Sequence, residues 1–483
     1  MSLDKELRKQ AYEAVERETI KVQEDTFFPG FHLAPPTGLL NDPNGWIQWK
    51  GIYHLFFQWM PFKTGHGAKF WGHFSSENLT DWTLEPIALT PGDWYDKNGC
   101  YSGSAIIDDN KMKLFYTGNV KDEHGQRESY QCLAESADGI TFTKKGVQVE
   151  LPEVYTPHFR DPKVWKHGGR WYMVIGAQTK DEKGAVALLE STDLTEWTNR
   201  GTISHANHSP LTNFGYMWEC PDVFQLDGKE ILLFSPQGLE ADGIQFNNTY
   251  QSGYVIGELD YEAASFDHGT FKEIDHGFEF YAPQTTEDEK GRRILFGWMG
   301  VPDQQEFEQP TIQNGWVHQM TLPRELRLVD GCLHQLPLPE MKDLRTEKTY
   351  DGPVKDRYAG FIARTVEVQL KGRVKRLELF GNMTLTYEPD KRLLTLERPN
   401  YANGKPEARS SILSADLYSL QLYIDHSSLE IFANDGESVF TSRMFAKPEN
   451  HSLYVEVDGS VEMSIWTLKN KTVAYTNDQD ELK

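Results

Sequence analysis

A unit of about 60 residues recurs five times between Asp42 and Met299, and no other feature restricts the fold as much. Each copy opens on a polar or proline-containing signal, then gives a short apolar strand, a Gly/Asp/Lys turn and a strongly apolar strand. The first goes from Asp42-Pro43 through Lys50-Gly51 to Tyr53-His54-Leu55-Phe56-Phe57. The second goes from Ser102-Gly103-Ser104 through Asp108-Asp109-Asn110 to Leu114-Phe115-Tyr116. The third and fourth open at Asp161-Pro162 and Pro221-Asp222 and reach Trp171-Tyr172-Met173-Val174 and Ile231-Leu232-Leu233-Phe234. The fifth opens at Pro283 and ends Ile294-Leu295-Phe296. A second echo keeps the period: Leu79-Thr80-Asp81-Trp82-Thr83, Gly139-Ile140-Thr141-Phe142-Thr143 and Leu194-Thr195-Glu196-Trp197-Thr198. Four strands with their turns fill such a period, and repeated strand units pack radially so that few sheet edges stay exposed. The expected fold class is all-β, a five-bladed β-propeller. The competing arrangement is a two-sheet sandwich whose spacing is coincidental.

After Arg324 the texture changes. Leu336-Pro337-Leu338-Pro339 followed by residues 340–345 reads as a connector with a short helix. From about residue 349 the chain is short strands and turns, which suits a second β domain, a C-terminal β-sandwich. The expected division is an N-terminal helical extension over residues 1–30, the propeller over 31–335, a linker over 336–348 and the sandwich over 349–483. In the extension, Leu7, Ala11 and Val15 lie along one stripe of a solvated amphipathic helix. The tail after Tyr475 is polar and expected to fray.

The formal net charge of −23 argues against general affinity for nucleic acid or anionic membranes, and an anionic substrate would need a local basic pocket. No stretch is apolar enough to span a membrane and residues 1–23 carry no apolar signal core, so the expected location is the cytoplasm. Cys100, Cys132, Cys220 and Cys332 are too scattered for a zinc site and read as reduced thiols.

In a propeller, equal phases of each repeat lie at the same end of the central channel. Asp42, Asp161 and Glu219 share that phase in units one, three and four, so three acids converge on one pocket. Asp42 is read at a turn, where Pro43 removes a backbone donor and Asn44-Gly45 suits φ > 0. Two carboxyls about 5–5.5 Å apart can run retaining glycoside hydrolysis. One is ionised and attacks the anomeric carbon; the other is kept protonated near pH 7 by burial or by a negative neighbour. Asp42, short and beside Asn41, suits the nucleophile. Glu219 suits the acid/base if its neighbours Trp218 and Cys220 pack on it. Asp161 suits hydrogen bonding to sugar hydroxyls, with Arg160 beside it to offset charge. The plainer alternative makes Arg160 and Asp161 a salt-bridged turn and Glu219 a solvated strand end.

Sugar C–H faces pack on aromatic rings, while hydroxyls need planar polar partners. The candidate substrate contacts are Asn41, Gln58, Trp71, Tyr101, Ser102, Arg160, Tyr281 and Trp298, although each aromatic taken singly is better explained by the core. Lys63, His66 and Lys69 surround Gly65 and Gly67 and form a candidate phosphate cradle in so acidic a chain, with a solvated loop as the alternative.

The stretches Asn41-Asp42-Pro43-Asn44-Gly45, Arg160-Asp161-Pro162 and Trp218-Glu219-Cys220-Pro221 resemble glycoside hydrolase family 32, the invertases and fructan hydrolases. Phe280-Tyr281-Ala282-Pro283-Gln284, Leu322-Pro323-Arg324-Glu325-Leu326 and residues 427–440 with Asn434-Asp435-Gly436-Glu437 are similar to it in the same order. Nearly the whole chain after Phe31 is covered. The resemblance implies a five-bladed propeller with a C-terminal sandwich, retention at the fructosyl carbon, no metal and no cofactor. It implies Asp42 as nucleophile, Glu219 as acid/base and Asp161 as transition-state stabiliser. Residues 64–69 and 215–220 look most like bacterial members acting on sucrose 6-phosphate. Plain sucrose, short fructo-oligosaccharides and fructosyl transfer stay open, and more remotely a catalytically silent sugar-binding propeller. The expected partner is a small-molecule sugar, with no nucleic acid and no membrane, for a monomer or homodimer. Leu40 stands where many members carry Met, and Glu279 where Asp is usual; a Glu279 that touches substrate would alter specificity.

Overall fold

The computed structural model describes residues 2–475, so the tail expected to fray lies outside the described residues. Among them, five sheets open before the short 3-10 segment Pro339–Leu344. Four are antiparallel throughout and open with Cys100–Asp108, Tyr155–His167, Met217–Leu226 and Tyr281–Glu287. The opening strands of successive sheets, starting from Gly38–Trp49, pack on one another in turn, and Tyr281–Glu287 packs back on Gly38–Trp49. This arrangement is a β-propeller. It differs from five equal units: three sheets have four strands, the sheet of Met217–Leu226 has five and the sheet of Gly38–Trp49 has six. Trp316–Val317 and Val473–Tyr475 join that sheet's two edges in parallel. Both additions cover edges that would otherwise face solvent. The last described strand thus returns to the propeller instead of ending in the sandwich.

The late echo of the repeat is a capped turn. Hydroxyls of Ser76, Ser136 and Ser191 accept from the amides of Leu79 at 2.8 Å and of Gly139 and Leu194 at 2.9 Å. Those three residues take φ of 66°, 80° and 67°. The side chains of Asn78, Asp138 and Asp193 accept the next two amides, which holds the left-handed residue in place.

The helix Leu3–Gln23 is docked instead of solvated. Ala11, Ala14 and Val22 are buried. Thr90 donates to Asp4 at 2.6 Å, and Arg8 donates to the carbonyls of Ile87 and Ala88.

Beyond Pro339–Leu344 a ten-stranded antiparallel sheet wraps around one core that includes Val366, Leu377, Leu422 and Val455, giving a sandwich-like unit. Not all its strands are short: Arg345–Phe361 and Ser452–Leu468 each run 17 residues. Ser452–Leu468 pairs with Val374–Leu379 near its start and with Val366–Lys371 near its end, so one strand serves both halves.

Ion pairs join this sheet to the propeller. Fully buried Arg324 donates to Asp275 at 3.0 Å and to Glu430 at 3.0 and 2.5 Å. Glu279 accepts from Arg398 at 2.7 and 2.5 Å and from the Arg443 amide at 2.8 Å. Its longer side chain therefore reaches across the joint and does not line the cavity described below, which corrects the idea that it sets specificity by touching substrate. Among the described residues no helix is long and apolar enough to cross a membrane, and the four cysteines are unpaired.

Candidate active site

Each of the five inner strands breaks register where it faces the channel. The breaks fall between Leu40 and Pro43 and between Asn44 and Ile47, then between Tyr101 and Gly103, Arg160 and Lys163, Glu219 and Asp222, and Tyr281 and Gln284. Pro43, Pro162, Pro221 and Pro283 sit at or in these bulges, where no ladder donor is required. Gly45, Asp161, Cys220 and Ala282 adopt φ of 52°, 69°, 49° and 47°. Holding non-glycine residues there costs of order 1–3 kcal/mol each, and such strain concentrates at functional sites. The turn expected at Asp42 is thus a bulge inside a 12-residue strand. The five bulges meet around the channel axis. They aim Asp42, Asp161 and Glu219 into one cavity of about 470 Å³.

Asn41, Gln58, Tyr101, Ser102, Arg160, Tyr281 and Trp298 line the same cavity. Asp42 is held through a relay. Gln58 Nε2 donates to Asn44 Oδ1 at 3.1 Å and to the Cys100 carbonyl at 2.8 Å, and Asn44 Nδ2 donates to Asp42 Oδ2 at 2.8 Å. Burial pushes the Asp42 carboxyl up to about 6, opposed by hydrogen bonds from Ser102 and Asn44 and reinforced by the charge of Glu219. Asp161 accepts from the Cys220 amide at 3.0 Å. Burial pushes it up to about 7, with Arg160 opposing and Glu219 and Asp42 reinforcing.

Glu219 is surrounded by donors. Arg160 reaches its Oε1 through Nε at 3.0 Å and Nη2 at 2.7 Å, while Tyr281 Oη at 2.7 Å and Gln237 Nε2 at 3.0 Å reach Oε2. This corrects two expectations. Trp218 does not pack on Glu219: alternation along the strand turns it to the other face, where it stacks on Phe234 at 4.1 Å. Arg160 forms no ion pair with Asp161 among the described residues, because the left-handed bulge sends the two side chains to different partners and Arg160 spans to the next blade.

Two further expectations are corrected. Trp71 lies outside the cavity, fully buried beside Phe56 and Tyr116, with its indole donating to the Tyr101 carbonyl at 3.1 Å. It supports the wall and offers no stacking face. Of the candidate cradle, His66 and Lys69 line the cavity and Lys63 does not. Lys69 is buried and donates to Asn41 Oδ1, and burial lowers its ammonium to about 7 against the pull of Glu306 and Asp42. His66 Nε2 is 3.0 Å from Glu306, whose other oxygen meets His318 at 3.0 Å. Lys63 is exposed and outside the cavity.

Asn98, Asn119, Lys121 and Gln237 line the cavity without having been anticipated. A signal existed for most of them. Gln58 is noticed because it follows the apolar run of the second strand in unit one. The same rule applied to Lys111–Lys121 and Lys229–Gln237 reaches Asn119, Lys121 and Gln237. Among the described residues no group of three His, Cys, Asp or Glu side chains is placed to hold a metal ion.

The description "Glycosyl hydrolases family 32 N-terminal domain" matches residues 32–337, and "Glycosyl hydrolases family 32 C terminal" matches residues 362–470. A sucrose-6-phosphate hydrolase of Bacillus subtilis (strain 168) is 50% identical over 475 residues, covering 96% of this chain and 99% of the relative. One from Salmonella typhimurium is 47% identical over 423 residues, covering 87% and 89%. Among solved structures, a GH32 β-fructofuranosidase of Bombyx mori superposes with a TM-score of 0.87 at 34% identity, covering 97% of this chain and 99% of that one. A sucrose-6-phosphate hydrolase from Lactobacillus gasseri gives a TM-score of 0.87 at 30% identity, covering 96% and 99%.

Proposed function

Because this chain belongs to glycosyl hydrolase family 32, we propose that it is a retaining β-fructofuranosidase. Its substrate is sucrose 6-phosphate, and sucrose as well; the products are fructose and glucose 6-phosphate, or glucose. The observation that carries the reading is three acids on one cavity in a chain 50% identical to a sucrose-6-phosphate hydrolase. Asp42, oriented by Asn44, attacks the fructosyl anomeric carbon and displaces the glucosyl oxygen. Glu219 gives its proton to that oxygen. Substrate binding has to loosen the Arg160 contact so that a Glu219 oxygen can reach the glucosyl oxygen. Once the fructosyl-enzyme has formed, Glu219 takes a proton from the attacking water, which releases fructose and restores Asp42. Asp161, fixed by the Cys220 amide, accepts hydrogen bonds from fructosyl hydroxyls as positive charge grows on the ring.

The six-stranded sheet of Gly38–Trp49 is read here as the fifth blade. The contact of its first strand with both Cys100–Asp108 and Tyr281–Glu287 supports this. The unpaired cysteines and the phosphorylated substrate suit the cytoplasm.

The test measures fructose release by purified protein from sucrose 6-phosphate, sucrose and a short fructo-oligosaccharide, together with Asp42→Asn. Preference for the phosphorylated sugar, lost with Asp42→Asn in a folded protein, supports the reading. Release from the oligosaccharide alone overturns the substrate, and near-normal turnover by Asp42→Asn overturns the nucleophile.

A further inference from the structure

The phosphate of sucrose 6-phosphate is carried on the glucosyl half, which departs when Glu219 protonates the bridging oxygen. Its binding site must therefore lie on the Glu219 side of the cavity, away from Asp42. In the basic loop of residues 63–69, His66 and Lys69 line the cavity but are already held by other groups, and Lys63 lies outside it. Lys69 is bound to Asn41 and lies under the influence of Asp42 and Glu306; His66 is bound to Glu306.

Two other cations face each other across one strand pair beside the cavity. Lys121 lines the cavity at the end of Lys111–Lys121. Arg127 opens the next strand and is its direct cross-strand partner. The Arg127 guanidinium stands 6.0 Å over the ring of Tyr101, near enough to Arg160, Glu219 and Asp161 to feel their charges. Among the described residues neither cation has a carboxylate within 4.0 Å, although most basic groups nearby are paired. Like charges directly opposite one another across two strands repel, so an anion held between them would be favoured. Beside them, Asn98 Oδ1 accepts the Lys121 amide at 2.7 Å. Its Nδ2 has no acceptor among the described residues, and Asn98 also lines the cavity.

We propose that Lys121 and Arg127, with the amide of Asn98, form the clamp for the 6-phosphate and so determine the preference for the phosphorylated sugar. The inference rests on the substrate reading above. A planar fork and a point charge at directly paired strand positions suit the charge of a phosphate dianion.

The test compares kcat/KM for sucrose 6-phosphate and for sucrose in the wild type, in Lys121→Gln/Arg127→Gln, and in Lys63→Gln. The double variant should lower the ratio of the two constants by roughly tenfold to a hundredfold, the range for losing charge-assisted hydrogen bonds. Lys63→Gln should hold the ratio within about threefold, as befits an exposed charge. In parallel, glucose 6-phosphate should become a weaker product inhibitor of the double variant while inhibition by glucose is retained. A double variant that keeps both the ratio and the inhibition overturns the clamp alone, as does a Lys63→Gln protein that loses the ratio. A wild type with no preference for the phosphorylated sugar overturns the substrate reading, and the clamp with it.

Discussion

His32 ties the two halves of the molecule together with a proton. Its ring is fully buried, with Nδ1 2.8 Å from Asp425 and Nε2 2.8 Å from Glu430. Both nitrogens face carboxylates, so both must carry hydrogen and the imidazole is held as a cation. Burial opposes that charge, but hydrogen bonds and attraction from Asp425 and Glu430 prevail and push it up to about 9, from 6.5. A difference of about 2.5 units, at about 1.4 kcal/mol each, corresponds to about 3 kcal/mol of folding stability. Because the folded value is raised, the contribution is complete below pH 6.5, declines as pH rises, and is gone above about 9. Urea unfolding at pH 6.5 and pH 9 measures it, with His32→Gln as the control. The variant should fold: Asp425 keeps the amides of Gly30 at 2.7 Å and Phe31 at 3.1 Å, and Glu430 keeps Arg324. Wild type should lose about 3 kcal/mol more than the variant across that interval. An equal loss in both proteins would refute the cationic bridge.

On the acid side, kcat/KM should fall with a midpoint near pH 6, since Asp42 must be ionised to attack and burial raises it to about 6. A pH–rate profile with its acid limb near the ordinary carboxylate value of about 4 would show that Asp42 is not so buried in the working enzyme. Glu279→Ala should cost about 3–5 kcal/mol, because it removes one of the two carboxylates on buried Arg398 and strips the Arg443 amide of its acceptor. A loss under about 1 kcal/mol in denaturant unfolding would mean the joint repacks without it.

Much of the site was legible because the repeat carries phase. Asp42, Asp161 and Glu219 could be grouped without coordinates, since residues at the same point of each unit come to the same end of the channel. Gln58 could be found because it follows an apolar strand, and Gln237 was discoverable by the same rule. The arrangement of charges was not legible. Arg160 stands next to Asp161 in the chain and pairs with Glu219, 59 residues on. Glu279 stands beside aromatic residues of the site and pairs with Arg398, 119 residues on.

By itself, then, the order of residues determined the period, the strand character, the prolines that tolerate a bulge and the acids that share a phase, all of which are local properties or follow from repetition. Only the tertiary structure decided which donor holds which carboxylate, that Trp71 is wall and Lys69 a partner of Asn41, and that Lys121 and Arg127 have no carboxylate partner among the described residues. Those outcomes depend on the direction of single side chains, set by one left-handed bulge residue, and on contacts between blades whose sequence separation carries no signal.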